Sequence, residues 1–487
     1  MGREMIMHRS IASAIVLGTA SLSFAATLEV PGDYATIQSA VDAAVDGDIV
    51  NIASGTYAEQ VDITGKAIEL RGEGSSSTTL DGTSFVGTIL KVSSVSSGTA
   101  VVRDLGFING SAVYPLGPDG GGLYGYYSNI DVHDCSFWNN VAENWGGGLN
   151  LFQCTSAITG CEFSENATTH WYDGGGMAVR QSSISVTSCN FTNNTAVGQG
   201  GGMLFMASDV DISNCNFTNN HAGNGGGGMS ASGVSSSGTI NNCIFEGNDT
   251  GNYASSLQCS GFTGSFSNCH FMNGISTFGG GVMVSGTSYP VFNNCIFHGN
   301  TNGIGHGGGI TMSYNGHATF NDCTISGNTS AFGGGVWAYQ AAATLDNCEI
   351  VGNTSWDYCG GLGFAGPPGF NATVTNCYIH GNVANGGGGG LYNIGTSPPN
   401  VSSTAICGNS PDQVFGSWND LGDNNTDASC PDCFEDIDGS GAVDVLDLLA
   451  VISQWGSCPG CPEDIDGNGV VDIMDLLAVL DNWGGCP

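Results

Sequence analysis

A repeat governs what this chain can fold into. SCNFTNNTAVGQGGGM closes at Met203, and SNCNFTNNHAGNGGGGM, closing at Met229, restates it. Aligned on the glycine tract, the unit returns at Gly120, Gly146, Gly174, Gly200, Gly226, Ala254, Gly279, Gly307, Gly333, Cys359 and Gly388, in steps of 25 to 29 residues. A unit this short cannot enclose a core alone and must bury its apolar face against its neighbours, which is the logic of a solenoid. Each unit carries three apolar-x-apolar pairs, as in Met177/Val179, Ile184/Val186 and Cys189/Phe191. Period-two runs separated by turn residues are strands whose alternate side chains share one interior. The fold expected is therefore all-β, a right-handed parallel β-helix over residues 26–409, with the repeats proper at 105–409. At ~4.8 Å per rung its eleven repeats make a rod on the order of 50 Å long.

Each repeated letter then has a structural task. Glycine supplies positive φ or close backbone approach at a corner. The Asn before Cys, as at Asn214, Asn242, Asn268 and Asn376, tolerates a left-handed bend. The Asn five residues after Cys, as at Asn194, Asn220, Asn300 and Asn382, is expected to stack its amide on the next rung. Ten cysteines share one ladder position, from Cys135 through Cys215 to Cys377. Parallel Cβ vectors hold such neighbours near the rung spacing, beyond the ~3.8 Å a disulfide prefers, so buried thiols are expected there. Cys154, Cys259 and Cys359 lie off the ladder.

Composition narrows the function classes. Of 487 residues 43 are acidic and 7 basic, for a net charge of −36, and no Lys or Arg follows Arg180. Nucleic-acid and membrane-surface binders rely on basic patches, so nucleic acid is excluded as a partner. Arg3, His8 and Arg9 precede a short apolar run and small residues before Ala25, which reads as a signal peptide over 1–25. The apolar run is too short for a bilayer, and no later segment reads as a membrane span. A secreted or cell-surface location follows, where disulfides are permitted.

FTNN at Phe191 and Phe217 and FHGN at Phe297, each followed by a glycine tract and Met or Ile, resemble the FxxN and GGA[ILV] repeats of the polymorphic outer membrane protein family. That resemblance implies a β-helical surface protein used in adhesion. VPGDYATIQSAVDAAVDGDIVNIASGTYAEQVDI, from Val30, is similar to the opening of pectin-lyase-like β-helix proteins. Within it Ile37, Ala40, Val41 and Ala44 have helical spacing. A short helix over the open end would cover unpaired strand edges, so 26–104 reads as the cap and first coils.

Beyond a linker at 410–432 the composition changes. DIDGSGAVDVLDLLAVISQWG from Asp436 and DIDGNGVVDIMDLLAVLDNWG from Asp464 are two copies of one motif. Oxygen ligands fall at EF-hand loop positions 1, 3, 5, 9 and 12 in Asp436, Asp438, Ser440, Asp444 and Asp447, and again in Asp464, Asp466, Asn468, Asp472 and Asp475. The carbonyls of Ala442 and Val470 serve position 7. Calcium is the cofactor expected. Leu448, Leu449, Ile452 and Trp455, matched by Leu476, Leu477, Leu480 and Trp483, have the spacing of one apolar helix face. The pattern D-x-D-x-[SN]-G-x-x-D-x-x-D-L-L resembles a type I dockerin at 433–487. The resemblance implies a cohesin-like or cell-surface protein partner, with Val445-Leu446 and Ile473-Met474 at the recognition positions. Cys433 with Cys458 and Cys461 with Cys486 are expected to bracket the repeats as disulfides, a CPDC/CPGC zinc site being the alternative. A Cys407–Cys430 bond would fasten the rod to the tail.

For chemistry the repeats offer little. Arg180 is their only cation that could act as the base of a lyase, with Asp119, Glu143 and Asp173 at nearby corners as calcium ligands or as paired carboxylates for glycoside hydrolysis. A solvated corner with one salt bridge is the plainer reading. Gly305-His306-Gly307 resembles the GHG of polygalacturonases, but His306 sits inside the repeated glycine block and the family's paired Asp motif is missing. Trp145, Trp171, Tyr172, Tyr253, Phe278, Phe332 and Tyr358 precede the tract and form a row that either stacks on sugar rings or folds back over the rod. The reading adopted is a secreted, non-catalytic β-helix for adhesion, scaffolding or glycan binding. Its alternative is a polysaccharide lyase or glycoside hydrolase attached through a dockerin.

Overall fold

The computed structural model describes residues 25–113, 119–170, 173–427, 430, 437, 442–458, 461–465, 469–481 and 483–485. The expected leader lies outside them but for Ala25. Four parallel sheets of 16, 14, 14 and 11 strands wrap the chain into a β-helix. One coil shows the plan. Met177–Arg180 leaves the glycine tract in a 14-stranded sheet, Ser183–Thr187 joins the 16-stranded sheet, Asn190–Thr192 the second 14-stranded sheet, and Thr195–Ala196 the 11-stranded one. Each pairs in register with the next coil, Phe191 opposite Phe217 and Ile184 opposite Val210. The three expected strands are present; the fourth escaped sequence analysis because two residues are too few to show alternation.

The rung spacing is visible in the core. Phe137, Phe163, Phe191, Phe217 and Phe245 stack with centroids 4.7–4.8 Å apart and planes within 4°. The asparagines form a second column, fully buried at Asn140, Asn166, Asn194, Asn220 and Asn248. Asn194 Nδ2 donates to Phe163 O on one side (2.9 Å) and to Asn220 Oδ1 on the other (3.0 Å), and that same oxygen accepts the Asn194 N–H at 3.0 Å. Every hydrogen of the amide is used, so burying it costs little. Asn214, Asn242, Asn268 and Asn376 take φ of 53–55° at the bend before Cys. The three tract glycines are needed for two reasons. Gly200 has φ 68°, while a Cβ on Gly201 would lie 2.4 Å from Gly227 O and one on Gly202 2.6 Å from Gly228 O.

At the amino end, helix α1 (Ile37–Ala43) is closed by a Thr36/Ser39 capping box and buries Ile37, Ala40 and Val41 over the first coils, as expected of a cap. At the other end the rod outlasts its expected limit at 409. Val414–Gly416 and Asn419–Asp420 each add a strand to a sheet, because the linker still supplies Val414 to continue the inward Leu391 column and Asn419 opposite Asn400. Helices α2 (Val445–Ser453) and α3 (Ile473–Asp481) follow. Antiparallel pairs Ala442–Val443 with Gly484–Gly485, and Gly456–Ser457 with Val470–Val471, tie the two motifs together crosswise.

Among the described residues thirteen cysteines are free and buried, including all ten of the ladder. Cys407 and Cys430 are bonded, as expected. The expected Cys433–Cys458 and Cys461–Cys486 pairs are corrected: Cys458 is bonded to Cys461. The CPGC turn brings them together, Cys461 N donating to Cys458 O at 3.3 Å, whereas Cys433 and Cys486 fall outside the described residues. Titration of unreduced protein with a thiol reagent is therefore expected to find at least thirteen thiols in denaturant and almost none in the native state. Fewer than ten in denaturant would mean that the ladder is cross-linked.

Candidate functional site

The strands leaving the glycine tract turn every second side chain outward, and those residues form the floor of a groove along one sheet. Met283, Thr311, Trp337, Gly363, Tyr392 and Phe415 occupy successive floor positions. The residue before the tract forms a column at its border, with Trp145 paired to Asp173, His306 to Phe332 and Tyr358 to Gly387. Rings from the two columns pack together: His306 stacks on Trp337 at 5.3 Å, Phe332 on Tyr358 at 6.3 Å, Tyr358 on Tyr392 at 5.6 Å and Tyr392 on Phe415 at 5.1 Å. Gly363 permits this, since a Cβ there would stand 2.4 Å from the Trp337 ring.

A cleft of about 560 Å³ opens in this groove. Phe278, Ile304 and His306 line it from the border, Met283, Thr311 and Trp337 from the floor, and Tyr314, Tyr339 and Ile394 from the ends of the strands. Phe278, Ile304, Tyr314, Tyr339 and Ile394 are 43–66% exposed. Contiguous exposed apolar surface of this kind makes the cleft the candidate binding site. Among the described residues no carboxylate, Lys or Arg lines the cleft and His306 is its only imidazole; burial lowers that pKa.

Of the aromatic row anticipated from sequence, Tyr253, Phe278 and Tyr358 are exposed, Phe332 and Trp145 half-buried, and Trp171 and Tyr172 lie outside the described residues. Trp337, Tyr339 and Tyr314 were missed. The available signal for the first two was VWAY at 336–339, where large aromatics take outward positions that the adjacent coils give to Thr311 and Ser313 and to Gly363 and Ala365.

Arg180 lies several rungs away on the same sheet. Its guanidinium sits over Trp145 at 4.2 Å and Phe152 at 5.0 Å, and donates to Asn150 Oδ1 at 3.4 Å. Burial lowers its pKa, opposed by the charge of Asp119. Asp119 accepts from Asn144 Nδ2 at 3.2 Å, and burial raises its pKa. Glu143 faces His170 at 3.6 Å. Asp173 is fully buried as a turn anchor, its carboxylate accepting from Gln199 N and, at 3.3 Å, from Thr168 Oγ1. Of the three acids Asp119 acts electrostatically on Arg180.

In the carboxyl-terminal motifs Asp447 and Asp475 are fully buried. Asp447 accepts from Ile437 N at 2.7 Å and Asp444 N at 2.8 Å, and Asp475 from Asp472 N at 2.8 Å. Asp464 Oδ2 accepts from Gly469 N at 2.8 Å while its buried Oδ1 has no partner. The carboxylates of Asp444 and Asp472 cap their helices through Leu446 N and Met474 N. Ala442 and Val470 stand in the short strands; Asp436, Asp438, Ser440, Asp466 and Asn468 are outside the described residues. The expected apolar helix face needs correction. Val451 and Val479 are buried with Val443 and Val471, while Leu449, Ile452 and Trp455, like Leu477, Leu480 and Trp483, are 42–53% exposed. Leu448 and Leu476 pack against this valine seam as expected, while the other large side chains of the anticipated face turn outward.

Burial pushes the Asp173 carboxyl up to about 7. A carboxyl whose native pKa exceeds its unfolded value of 3.8 binds more protons when folded between those limits, so stability falls as pH rises from about 4 to 7, by up to about 1.4 kcal/mol per unit. Asp173→Asn is expected to flatten the slope of unfolding free energy across that window, measured by denaturant unfolding at several pH values. An unchanged slope would remove Asp173 as its source.

Among solved structures the chain is similar to the Geobacillus virus E2 ORF18 protein, at 15% identity over 64% of this chain and 61% of that one, with a TM-score of 0.33. It thus spans about three fifths of that protein's length. It is also similar to a mannuronic acid specific polysaccharide family 6 lyase from human gut microbiota (13% identity, 78% and 86% covered, TM-score 0.38) and to the A-module of the Azotobacter vinelandii mannuronan C-5 epimerase AlgE6 (14%, 81% and 94%, 0.38). No curated protein sequence matches it. These likenesses are of fold. The model of the right handed beta helix region matches residues 121–275, 210–338 and 308–426; with most of its length so covered, and with its parallel coils in place, the chain belongs to the right-handed β-helix family.

Proposed function

We propose that this is a secreted, non-catalytic β-helix protein that holds glycan in its aromatic cleft, for adhesion or scaffolding at a cell surface, and that its carboxyl-terminal module is a calcium-dependent, dockerin-like docking unit. The observation that carries the first part is the cleft: exposed aromatic and aliphatic side chains on a rigid sheet, with hydroxyl, imidazole and thioether groups among them and no charged pair. Aromatic faces suit the C–H faces of pyranose rings, and a mostly apolar recess with a few polar groups is what a small-molecule site requires. The competing reading, a polysaccharide lyase or hydrolase, rests on Arg180, whose buried Nε is left without a partner beside an equally unpartnered Asn150 Nδ2. Pull-down on insoluble polysaccharides, with product assay in the same tubes, separates the two. Retention without released sugar is expected, weakened roughly tenfold, or about 1.4 kcal/mol, by Phe278→Ala with Tyr339→Ala. Product release abolished by Arg180→Ala would establish the enzyme.

Calcium is argued from charge. No Lys, Arg or His follows His380 in the sequence, yet Asp447 and Asp475 are buried, and Asp464 carries an orphaned buried oxygen. Buried carboxylates are paired, protonated or bound to metal, and with no basic side chain in the segment a hard divalent cation fits. Asp447, Asp464 and Asp475, with the partner ligands anticipated from sequence, would hold it, and it would supply the charge that closes each loop. The twin outward faces of Leu446, Leu449 and Trp455 and of Met474, Leu477 and Trp483 are the surface offered to a cohesin-like partner. Calcium added to chelator-treated full-length protein is expected to protect residues 442–485 from proteolysis, with about 2.7 kcal/mol of stabilisation at a hundredfold excess over Kd. Asp447→Ala with Asp475→Ala should abolish the protection and leave the β-helix transition unmoved. Protection that survives the double substitution would refute the assignment.

A further inference from the structure

Resting on the glycan reading above, we infer that the cleft selects an uncharged glycan and holds it lengthwise, parallel to the axis of the β-helix, with uronate polymers excluded. Charge is distributed unequally along the rod. All seven basic residues lie at or before Arg180 in a chain of net charge −36, whereas the cleft residues begin at Tyr253. A polyuronate entering the cleft would meet no Lys or Arg among its lining residues, on a chain whose net negative charge repels polyanions. Burying carboxylates there without partners is costly. A neutral pyranose chain carries no such cost, and its ring faces match Phe278, Tyr339 and Tyr314. His306, its pKa lowered by burial, is neutral at neutral pH and serves as a hydrogen-bonding group for hydroxyls.

The direction follows from the two columns. Across the groove the floor is one four-residue strand wide, such as Val336–Tyr339, roughly 13 Å. Along the axis the rings run from Tyr253 and Phe278, 6.1 Å apart at one end of the cleft, to Tyr392 and Phe415, 5.1 Å apart beyond its other end. Six rungs separate the ends, a strip on the order of 30 Å. An extended chain keeps contact with the rings only by running along it.

Calorimetric titration of the full-length protein with length-graded neutral oligosaccharides (glucose-, mannose- and xylose-based) and with oligogalacturonates and oligomannuronates, at low and high salt, tests this. A neutral series is expected to bind with affinity that rises with length to a plateau, is indifferent to salt, and falls roughly tenfold on Phe278→Ala with Tyr339→Ala. Arg180→Ala should leave it unchanged. Uronate oligomers binding as tightly as neutral ones, with affinity lost on Arg180→Ala or on raising salt, would overturn the selectivity while leaving a glycan binder. Neutral binding that does not grow beyond a disaccharide would overturn the lengthwise placement. Failure of every series, with the fold confirmed intact by circular dichroism, would overturn the glycan reading itself.

Discussion

The rod depends on one interaction that recurs through the repeats from Asn140 to Asn409: a buried asparagine amide that bonds forward to the next amide and backward to a backbone carbonyl. A parallel β-helix must turn corners inside its own core, and a corner exposes backbone N–H groups to an apolar interior. In this chain Asn166, Asn194 and Asn220 each offer Oδ1 to the N–H of the preceding corner at 3.0–3.1 Å. The column starts by accepting from Gly110 N at Asn140 and ends where Asn409 Nδ2 meets Gln413 Oε1 at 2.9 Å. Removing one amide would orphan donors on the rung before it, at about 1–3 kcal/mol for each buried group. The phenylalanine stack and thiol column fill space beside this chain of amides; they do not set its period.

That period is why so much of the fold could be read from sequence. A side chain whose neighbour is its own counterpart one rung away has to recur, so Asn, Phe, Cys and the glycine tract announced their positions. What did not recur was less legible. The two-residue strands such as Thr195–Ala196 carry too little pattern. The outward faces of α2 and α3 were misassigned because Leu and Trp look like core until the valine seam is seen. Cys458–Cys461 could not be told from longer pairings, since spacing alone leaves several connectivities open.

The cleft is the instructive case. It begins where the repeat lapses: Ala254-Ser255-Ser256 replaces the glycine tract, and Gly274 stands where the column expects Asn, its N–H passing directly to Asn300 Oδ1 at 3.0 Å. Tyr253 and Phe278, on the two borders of that lapse, both line the cleft. Local departures from a self-consistent pattern tend to fall at functional sites, where structure yields to another requirement. The aromatic border was visible as a row of letters, but the floor was not, because Trp337 acquires meaning only when Gly363 is seen to leave room for its ring.

In a solenoid each coil contacts only its neighbours, so coupling weakens with every rung between two sites. The cleft ends at the coil of Ile394, and the carboxyl-terminal module begins beyond the last strand, joined to the rod through the Cys407–Cys430 bond and the packing of Tyr378 against the module's valine core. A cation ordering the loops around Asp447 and Asp475 would act on that junction and have no path to reorganise the Phe278 and Tyr339 faces, which are held by sheet hydrogen bonds already complete. On the proposed reading the two attachments, glycan along the side of a rigid spacer and a protein partner at its end, are therefore independent, with no site switched by its tail.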